Sequence, residues 1–325
     1  MVIRGSVLAI VALALALPAC DPFGLPATRA LETGAAGTLR AAASYEISGT
    51  YTSATSQAWT IDLQLAGLTA RRMTLSSADE KVEAVIIGRD AYFRGERLLA
   101  SRLGQNPDAP GLVQAAGNAW WKDTVDAALV PALPDFTDGP TFRATFLGSA
   151  VTQRRDHQRV GGVDAVELSG VRADVYIATA APYQLLRVHL KSTVEVDGLF
   201  DADLTYSNVG KDFGIKAPTD VIDFANLSTL PPVYTVLSVD TSGCQVPCVV
   251  SARVKNLGGT TGAKAPSWIE FVVQAPAGGT PTASCTATVQ PDVGYNATTT
   301  VSCTLNIAPS NAQMVTASAH NPGRA

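Results

Sequence analysis

Charge, aromatic rings and histidine are all scarce in this chain. Charged residues make up 16% of its 325 residues and the net charge is −4, so there is no basic surface to hold nucleic acid. Aromatic residues make up 6% and there are three histidines, His157, His189 and His320. His189 falls on the polar side of an alternating run, and His157 sits in a charged run with Arg154, Arg155, Asp156 and Arg159, where solvated side chains are expected. Neither a Gly-x-Ser-x-Gly elbow nor an HExxH pair occurs, which removes the commonest hydrolase and metalloprotease signatures. Gly258–Lys264 has a passing likeness to a phosphate loop but lacks the Gly-Lys-Ser/Thr ending, and reads as a turn. Asp201 and Asp203 share a strand face, where solvation accounts for a carboxylate pair. No enzyme activity is expected.

Long apolar runs are also missing, except at the N-terminus. Arg4 precedes an apolar run of 11 residues from Val7 to Leu17, too short for a stable bilayer-spanning helix and suited to the core of a signal peptide. No second run of 18 apolar residues follows. Five cysteines are present, four of them in the last third and one, Cys20, directly after the leader.

The rest of the chain alternates with period two over most of its length. Tyr45, Ile47 and Gly49 lead into Trp59, Ile61, Leu63 and Leu65, with Thr60, Asp62 and Gln64 facing the other way. Further strands read at Arg71–Ser76, Lys81–Ile87, Asp90–Arg94, Thr141–Leu147, Gln153–Val160, Asp164–Leu168 and Val171–Ala178. In the stretch from Gln184 to Asn208, Leu186, Val188 and Leu190 alternate with Arg187, His189 and Lys191. After the Asp197-Gly198 turn come Phe200, Ala202, Leu204 and Tyr206. Short links make the sheet antiparallel.

Helices are expected at Thr28–Ala43, with Leu31, Leu39 and Ala42 or Ala43 on one face, and as helical or irregular pieces at Leu98–Leu103, Gly111–Ala116 and Asp123–Leu133. Pro107, Pro110, Pro131 and Pro134 interrupt the latter, and Trp120-Trp121-Lys122 sits between them. This layer is rich in alanine (Ala115, Ala116, Ala119, Ala127, Ala128, Ala132), and small side chains facing a sheet leave room for a ligand cavity. A fully packed core is the alternative. Residues 27–225 thus read as one α+β domain, a curved antiparallel sheet with helices on its concave side. It is preceded by a leader at 1–19 and a short tether at 20–26, and followed by a linker at 226–232 that includes Leu230-Pro231-Pro232. A small all-β domain follows at 233–310, with strands Tyr234–Val239, Val249–Asn256, Trp268–Gln274, Ser284–Val289 and Thr298–Ile307 at sandwich spacing. Residues 311–325 read as a frayed tail.

Three resemblances add to this reading. Leu17-Pro18-Ala19-Cys20 looks like a bacterial lipobox, although Pro18 departs from the usual pattern; ordinary cleavage after Ala16 or Ala19 is the alternative. The lipobox implies a diacylglycerol on Cys20 and a protein anchored at the extracytoplasmic face of the bacterial cell membrane by its acyl chains. With that leader, Tyr45–Thr50, Val85–Gly88, Asp90–Arg94, Trp120-Trp121-Lys122, Gly161–Ala165 and the close from Gly210-Lys211 to Ala217-Pro218 resemble the mycobacterial LppX/LprG lipoproteins, which have a LolA/LolB-like fold. The resemblance covers residues 20–225 as a distributed pattern. It implies an open half-barrel whose helices enclose an apolar cavity holding acyl chains of a lipid or lipoglycan, for transport or sensing. Its lining would include Trp59, Ile61, Leu63, Leu65, Met73, Leu75, Ile87, Trp120, Trp121, Leu186, Val188 and Leu190. Arg71-Arg72 and Arg154-Arg155 could meet anionic head groups, or be solvated surface charge.

Val249–Asn256 with Gly258-Gly259, and the later stretch Ala287–Thr304, resemble CARDB-type, immunoglobulin-like bacterial surface domains. On that resemblance Cys244, Cys248, Cys285 and Cys303 are two disulfides in an oxidising compartment. Of three pairings, 244–248 with 285–303 is expected. A zinc site would need paired thiolates on knuckles, whereas Cys285 and Cys303 sit in strands. No metal and no cofactor beyond a bound lipid are expected.

Two functions compete. One is a lipid-binding envelope lipoprotein whose sandwich serves as a spacer or binds an envelope protein. The other is a surface interaction or sensor lipoprotein with a filled core and no lipid cargo, similar in layout to periplasmic regulators that pair a LolA-like domain with a second domain.

Overall fold

The computed structural model describes residues 24–67, 69–124, 138–192, 194–196, 198–223, 225–274, 280–307 and 313–325. The leader, Cys20, most of the expected Asp123–Leu133 segment, and Asp197 lie outside the described residues. In chain order the elements begin with helix α1 (Thr28–Ala41) and strands β1 (Ser44–Thr52), β2 (Ala58–Ala66), β3 (Ala70–Ser76), β4 (Lys81–Ile87) and β5 (Asp90–Arg94). Helices α2 (Glu96–Leu103) and α3 (Ala109–Ala116), strand β6 (Trp120–Thr124) and helix α4 (Gly139–Phe142), continued by a π-helical turn at Arg143–Leu147, come next. Strands β7 (Gln153–Val160), β8 (Val163–Ser169), β9 (Ala173–Ala178), β10 (Leu185–Leu190), β11 (Glu195–Val196), β12 (Leu199–Ser207) and β13 (Val221–Asp223) follow. The last part carries β14 (Tyr234–Asp240), β15 (Cys248–Asn256), β16 (Trp268–Gln274), β17 (Ala283–Thr288), β18 (Thr298–Leu305) and β19 (Met314–His320). The architecture is mixed α and β, with a large, mostly antiparallel sheet, few helices and two small sheets.

The described residues fall into two compact units. Of the described residues, one unit draws on those within 24–45, 49–55 and 138–210, the other on those within 46–48, 56–124 and 211–325.

In the first unit the strand order is β12-β10-β9-β8-β7. Leu204, Val188, Val175 and Leu168 stand opposite one another in register and are all fully buried, so they form one apolar row across four strands. Helix α1 packs on β9 and β10 through Leu31, Ala35, Ala36 and Leu39, the stripe that a 3.6-residue period requires. Ala42 and Ala43, expected on that stripe, follow the helix and are half-buried and exposed. Glu32 lies on the same stripe and is buried. It accepts hydrogen bonds from Arg143 Nε at 3.1 Å to each carboxylate oxygen, and a further one from Arg143 Nη2.

Three local expectations change here. Thr141–Leu147 is helical rather than a strand, because the Asp138 carboxylate caps Thr141 N at 2.8 Å and Pro140 favours the first turn. Phe142 and Phe146, which read as alternation, meet instead at helical i, i+4 spacing with ring centroids 5.2 Å apart. In β12, Asp201 has φ of 45°, and the alternation shifts there: Leu199 is buried in place of Phe200, while Ala202, Leu204 and Tyr206 face inward as expected. In β10 a register shift between Leu185 and Arg187 turns Leu186 into a small cluster with Ala165 and Ala178, off the row of Val188.

In the second unit the order is β13-β6-β5-β4-β3-β2. Leu63, Met73, Ala84, Phe93, Trp121 and Ile222 form a continuous row, each 2% exposed or less. Trp120–Thr124 is a strand, so Asp123 and Thr124, expected to open a helical or irregular piece, continue the unassigned Trp120-Trp121-Lys122 instead; its pairing with β13 is parallel, which the long connection between them allows.

The rest of this unit is the small β domain, built of sheets β14-β15-β18 and β17-β16-β19 around Val250, Ala252, Val254, Ile269, Phe271 and Val273. Both expected disulfides are formed, Cys244–Cys248 and Cys285–Cys303. The expected frayed tail is instead strand β19, paired with β16 from Met314 to His320. Its Ala, Ser and Thr residues carry too little alternation to announce a strand. Residues 226–232 are no free linker either: Gly259 N donates to Leu230 O at 2.8 Å, and a Cβ at Gly258 would lie 1.9 Å from Pro231 O. The buried Asn256 holds this junction. Its Oδ1 accepts from Val233 N and Gly258 N, both at 3.0 Å, and its Nδ2 donates to Gly259 O at 2.7 Å and Val293 O at 2.6 Å.

Candidate functional site

The expected cavity residues separate by strand register. Trp59, Ile61, Leu63 and Leu65 share a face with Met73, Leu75 and Trp121. Ile87 pairs with Ala70 and Asp90 on the opposite face, since the unbroken apolar run Val85-Ile86-Ile87 hides which residues point inward. Trp120, adjacent in the strand to Trp121, also points the other way and lies under the Arg94 guanidinium, 4.7 Å from the ring centroid. Val188 and Leu190 are fully buried in the first unit, and Leu186 sits apart from them. Ile61, Leu63, Met73 and Trp121 are closed off, at 0–2% exposure.

An open apolar site lies between α2 and α3. Helix α2 packs over the sheet through Leu99, which is buried, and through Arg102, whose guanidinium stacks on Phe93 at 5.2 Å and pairs with Asp123. It carries Glu96 in its first turn and Arg102 in its last, matching the helix dipole at both ends. Gly104 and Gly117, with φ of 62° and 56°, close α2 and α3 in the left-handed region that favours glycine. Asn106 Oδ1 accepts from Asp108 N at 3.0 Å and tightens the turn between the helices, and Pro110 lies in the first turn of α3.

The result is a groove of about 820 Å³. Its walls are Ala100, Pro107, Ala109, Pro110 and Val113; Glu96, Gln105, Asn106 and Gln114 also line it. None of these belongs to the expected cavity set. The groove falls within the size range of roughly 300–1,000 Å³ for ligand pockets, and its lining is mainly apolar with a few polar groups, as such pockets are. The sequence signal was present in part: two prolines and two glycines cut a helical stretch into two short pieces with small residues between.

On the other side of α3, Pro107, Asp108, Gly111 and Gln114 line a cleft of about 360 Å³ together with Val233, Tyr234 and Asn321 of the small β domain. Among the described residues no group of three His, Cys, Asp or Glu is placed to hold a metal ion, and no helix is long and apolar enough to cross a membrane. Asp203, in the first unit, accepts from Arg187 Nε at 2.6 Å, and this guanidinium holds the carboxyl below its usual range.

No protein-family model and no curated protein matches the chain. Among solved structures, a chain of the Pseudomonas aeruginosa MucA/MucB complex is 14% identical, with a TM-score of 0.30, covering 86% of this chain and 94% of that one. A chain from a structure of MucB in complex with MucA(peri) is 12% identical, with a TM-score of 0.27, covering 86% of this chain and 93% of that one. Likenesses at this level carry no argument about the function of this chain.

Proposed function

We propose that this chain is an extracytoplasmic bacterial binding protein, held at the cell membrane by an acylated Cys20, that takes a lipid acyl chain in the groove between α2 and α3. In this reading the large sheet is of the LolA-like half-barrel type and the small β domain is immunoglobulin-like. The observation that carries the proposal is the groove itself, open, mainly apolar and walled by Ala100, Pro107, Ala109, Pro110 and Val113. Ten methylenes buried there would recover about 8 kcal/mol, comparable with the free energy of a micromolar complex before the losses of association are deducted. The two disulfides suit an oxidising compartment.

A second reading, an interaction or sensor lipoprotein with no lipid cargo, is favoured by the closed packing of the row from Leu63 to Ile222. Native mass spectrometry and organic extraction of the Cys20→Ser protein separate the two, with titration of a fluorescent acyl probe alongside. Ala100 is exposed on the groove wall, so Ala100→Trp fills the groove without touching the core. Lipid release, or saturable probe uptake that Ala100→Trp weakens at least about tenfold, supports acyl binding. A clean apo mass with no probe uptake would sink it and leave the interaction reading in front.

A further inference from the structure

Helix α3 is the wall shared by the groove and by the cleft against the small β domain, with Pro107 and Gln114 lining both. The last turn of any helix leaves carbonyl groups without partners inside the helix. Here Val113 O and Gln114 O accept from Gly117 N, and Ala116 O accepts from Ala119 N. Ala115 O takes its bond from outside the helix region: Arg324 N, beyond the end of β19, donates to it at 3.1 Å.

That C-terminal segment is itself tied down at several points. Lys264 N donates to Gly323 O at 3.0 Å, and Ala325 N donates to Gly262 O at 2.9 Å. The Arg324 guanidinium pairs with Asp220, whose carbonyl accepts from Trp120 N at the start of β6. Gly323 has φ of 78° and passes so close to α3 that a Cβ there would lie 3.2 Å from Gln114 O. Just before it, Asn321 Oδ1 accepts from Tyr234 N at 2.8 Å and Asn321 Nδ2 donates to Tyr234 O at 3.1 Å, joining the segment to β14. Any outward movement of the end of α3 must therefore break a bond to the β domain.

We propose that residues 321–325 act as a strap that couples the small β domain to the wall of the acyl groove. Occupancy of the groove and the hold of the β domain on α3 then influence each other. This rests on the groove being the ligand site. Coupling of this kind is reciprocal: if the strap supports the binding-competent position of α3, bound ligand must in turn strengthen the strap.

The test compares Arg324→Pro, which removes the N–H given to Ala115 O, with Arg324→Ala, which keeps it, both in the Cys20→Ser full chain. Position 324 lies outside the core of the β domain, so both variants fold. Hydrogen exchange is followed at residues 111–117 without ligand, and affinity is measured with the fluorescent acyl probe. Arg324→Pro should speed exchange in residues 111–117 and weaken the probe by about five- to tenfold, the low end of usual coupling strengths, while Arg324→Ala does less on both counts. Exchange at 111–117 unchanged in Arg324→Pro overturns the strap, whatever the probe does. If exchange speeds up while even the unsubstituted chain takes no probe, the strap holds and the groove reading fails. If the probe binds equally to the unsubstituted chain and Arg324→Pro, the coupling to ligand is overturned while the groove stands.

Discussion

Replacing Asn256 by leucine tests the account of the junction between residues 226–233 and the small β domain. The two side chains are close in size, so the change removes polarity with little change in volume. Asn256 is fully buried, and its side chain satisfies two N–H groups, of Val233 and Gly258, and two carbonyls, of Gly259 and Val293. Leucine leaves all four without that partner. A buried polar group left unpaired costs about 1–3 kcal/mol, and local relaxation toward water recovers part of this, so a loss of roughly 4 kcal/mol is expected. The assay is urea unfolding followed by fluorescence, with hydrogen exchange at Val233 and Gly258 to localise the effect. Asn256→Asp provides the sharper arm. It keeps acceptors for Val233 and Gly258 but turns a buried carboxylate toward the carbonyls of Gly259 and Val293. Burial and those dipoles would raise the folded carboxyl above its unfolded value near 4. The Asn256→Asp variant should therefore gain stability relative to the unsubstituted protein as pH falls through the folded value and a proton restores a donor. A leucine variant within about 1 kcal/mol of the parent, or an aspartate variant with no relative gain in acid, would refute the reasoning.

The remaining predictions are shorter. Arg143→Met strands the buried Glu32 carboxylate, and should destabilise the first unit by roughly 2–4 kcal/mol in thermal unfolding, less than a wholly buried pair because Arg143 reaches solvent. The double change with Glu32→Leu should recover most of that loss. Asp203, held low by the Arg187 guanidinium, contributes stability above its unfolded value near pH 4 and loses it as pH falls through the lower folded value. The stability gap between the parent and Arg187→Gln should therefore narrow in acid. Because both groups are about a third exposed, that gap should not exceed about 1 kcal/mol, apart from the Arg187–Tyr176 stacking lost at every pH.

Much of the strand pattern was legible because period-two alternation survives wherever one face is buried and the other is wet. Lys81–Ile87, Asp90–Arg94, Gln153–Val160 and Trp268–Gln274 match their expected bounds, and β3 begins one residue earlier than expected. Alternation failed where the chain offered no contrast. Val85-Ile86-Ile87 is apolar throughout, so only the pairing of Ala84 with Phe93 shows that Ile87 points away from the buried row. Phe142 and Phe146 fit a strand and a helix equally well, and a cap at Asp138 decided for the helix. Met314–His320 is built of small and polar residues, and only its partner β16 makes it a strand.

The candidate site was less legible than the fold. Prolines and glycines between Leu98 and Gly117 announced broken helices, but a groove is a property of how two short helices diverge, and no local pattern encodes that. Glu32 and Asn256 carried no signal of burial, since glutamate and asparagine are mostly exposed and are buried only where partners satisfy them. Their partners, Arg143 in one case and Val233 and Val293 in the other, come from distant parts of the chain. The sequence by itself determined which segments alternate, where turns must fall, and which half of the chain carries the cysteines, because those depend on neighbours within a few residues. Only the tertiary structure decided which alternate face is buried, that residues 321–325 strap onto α3, and that the open apolar groove lies between α2 and α3, because these depend on contacts between residues far apart in the chain.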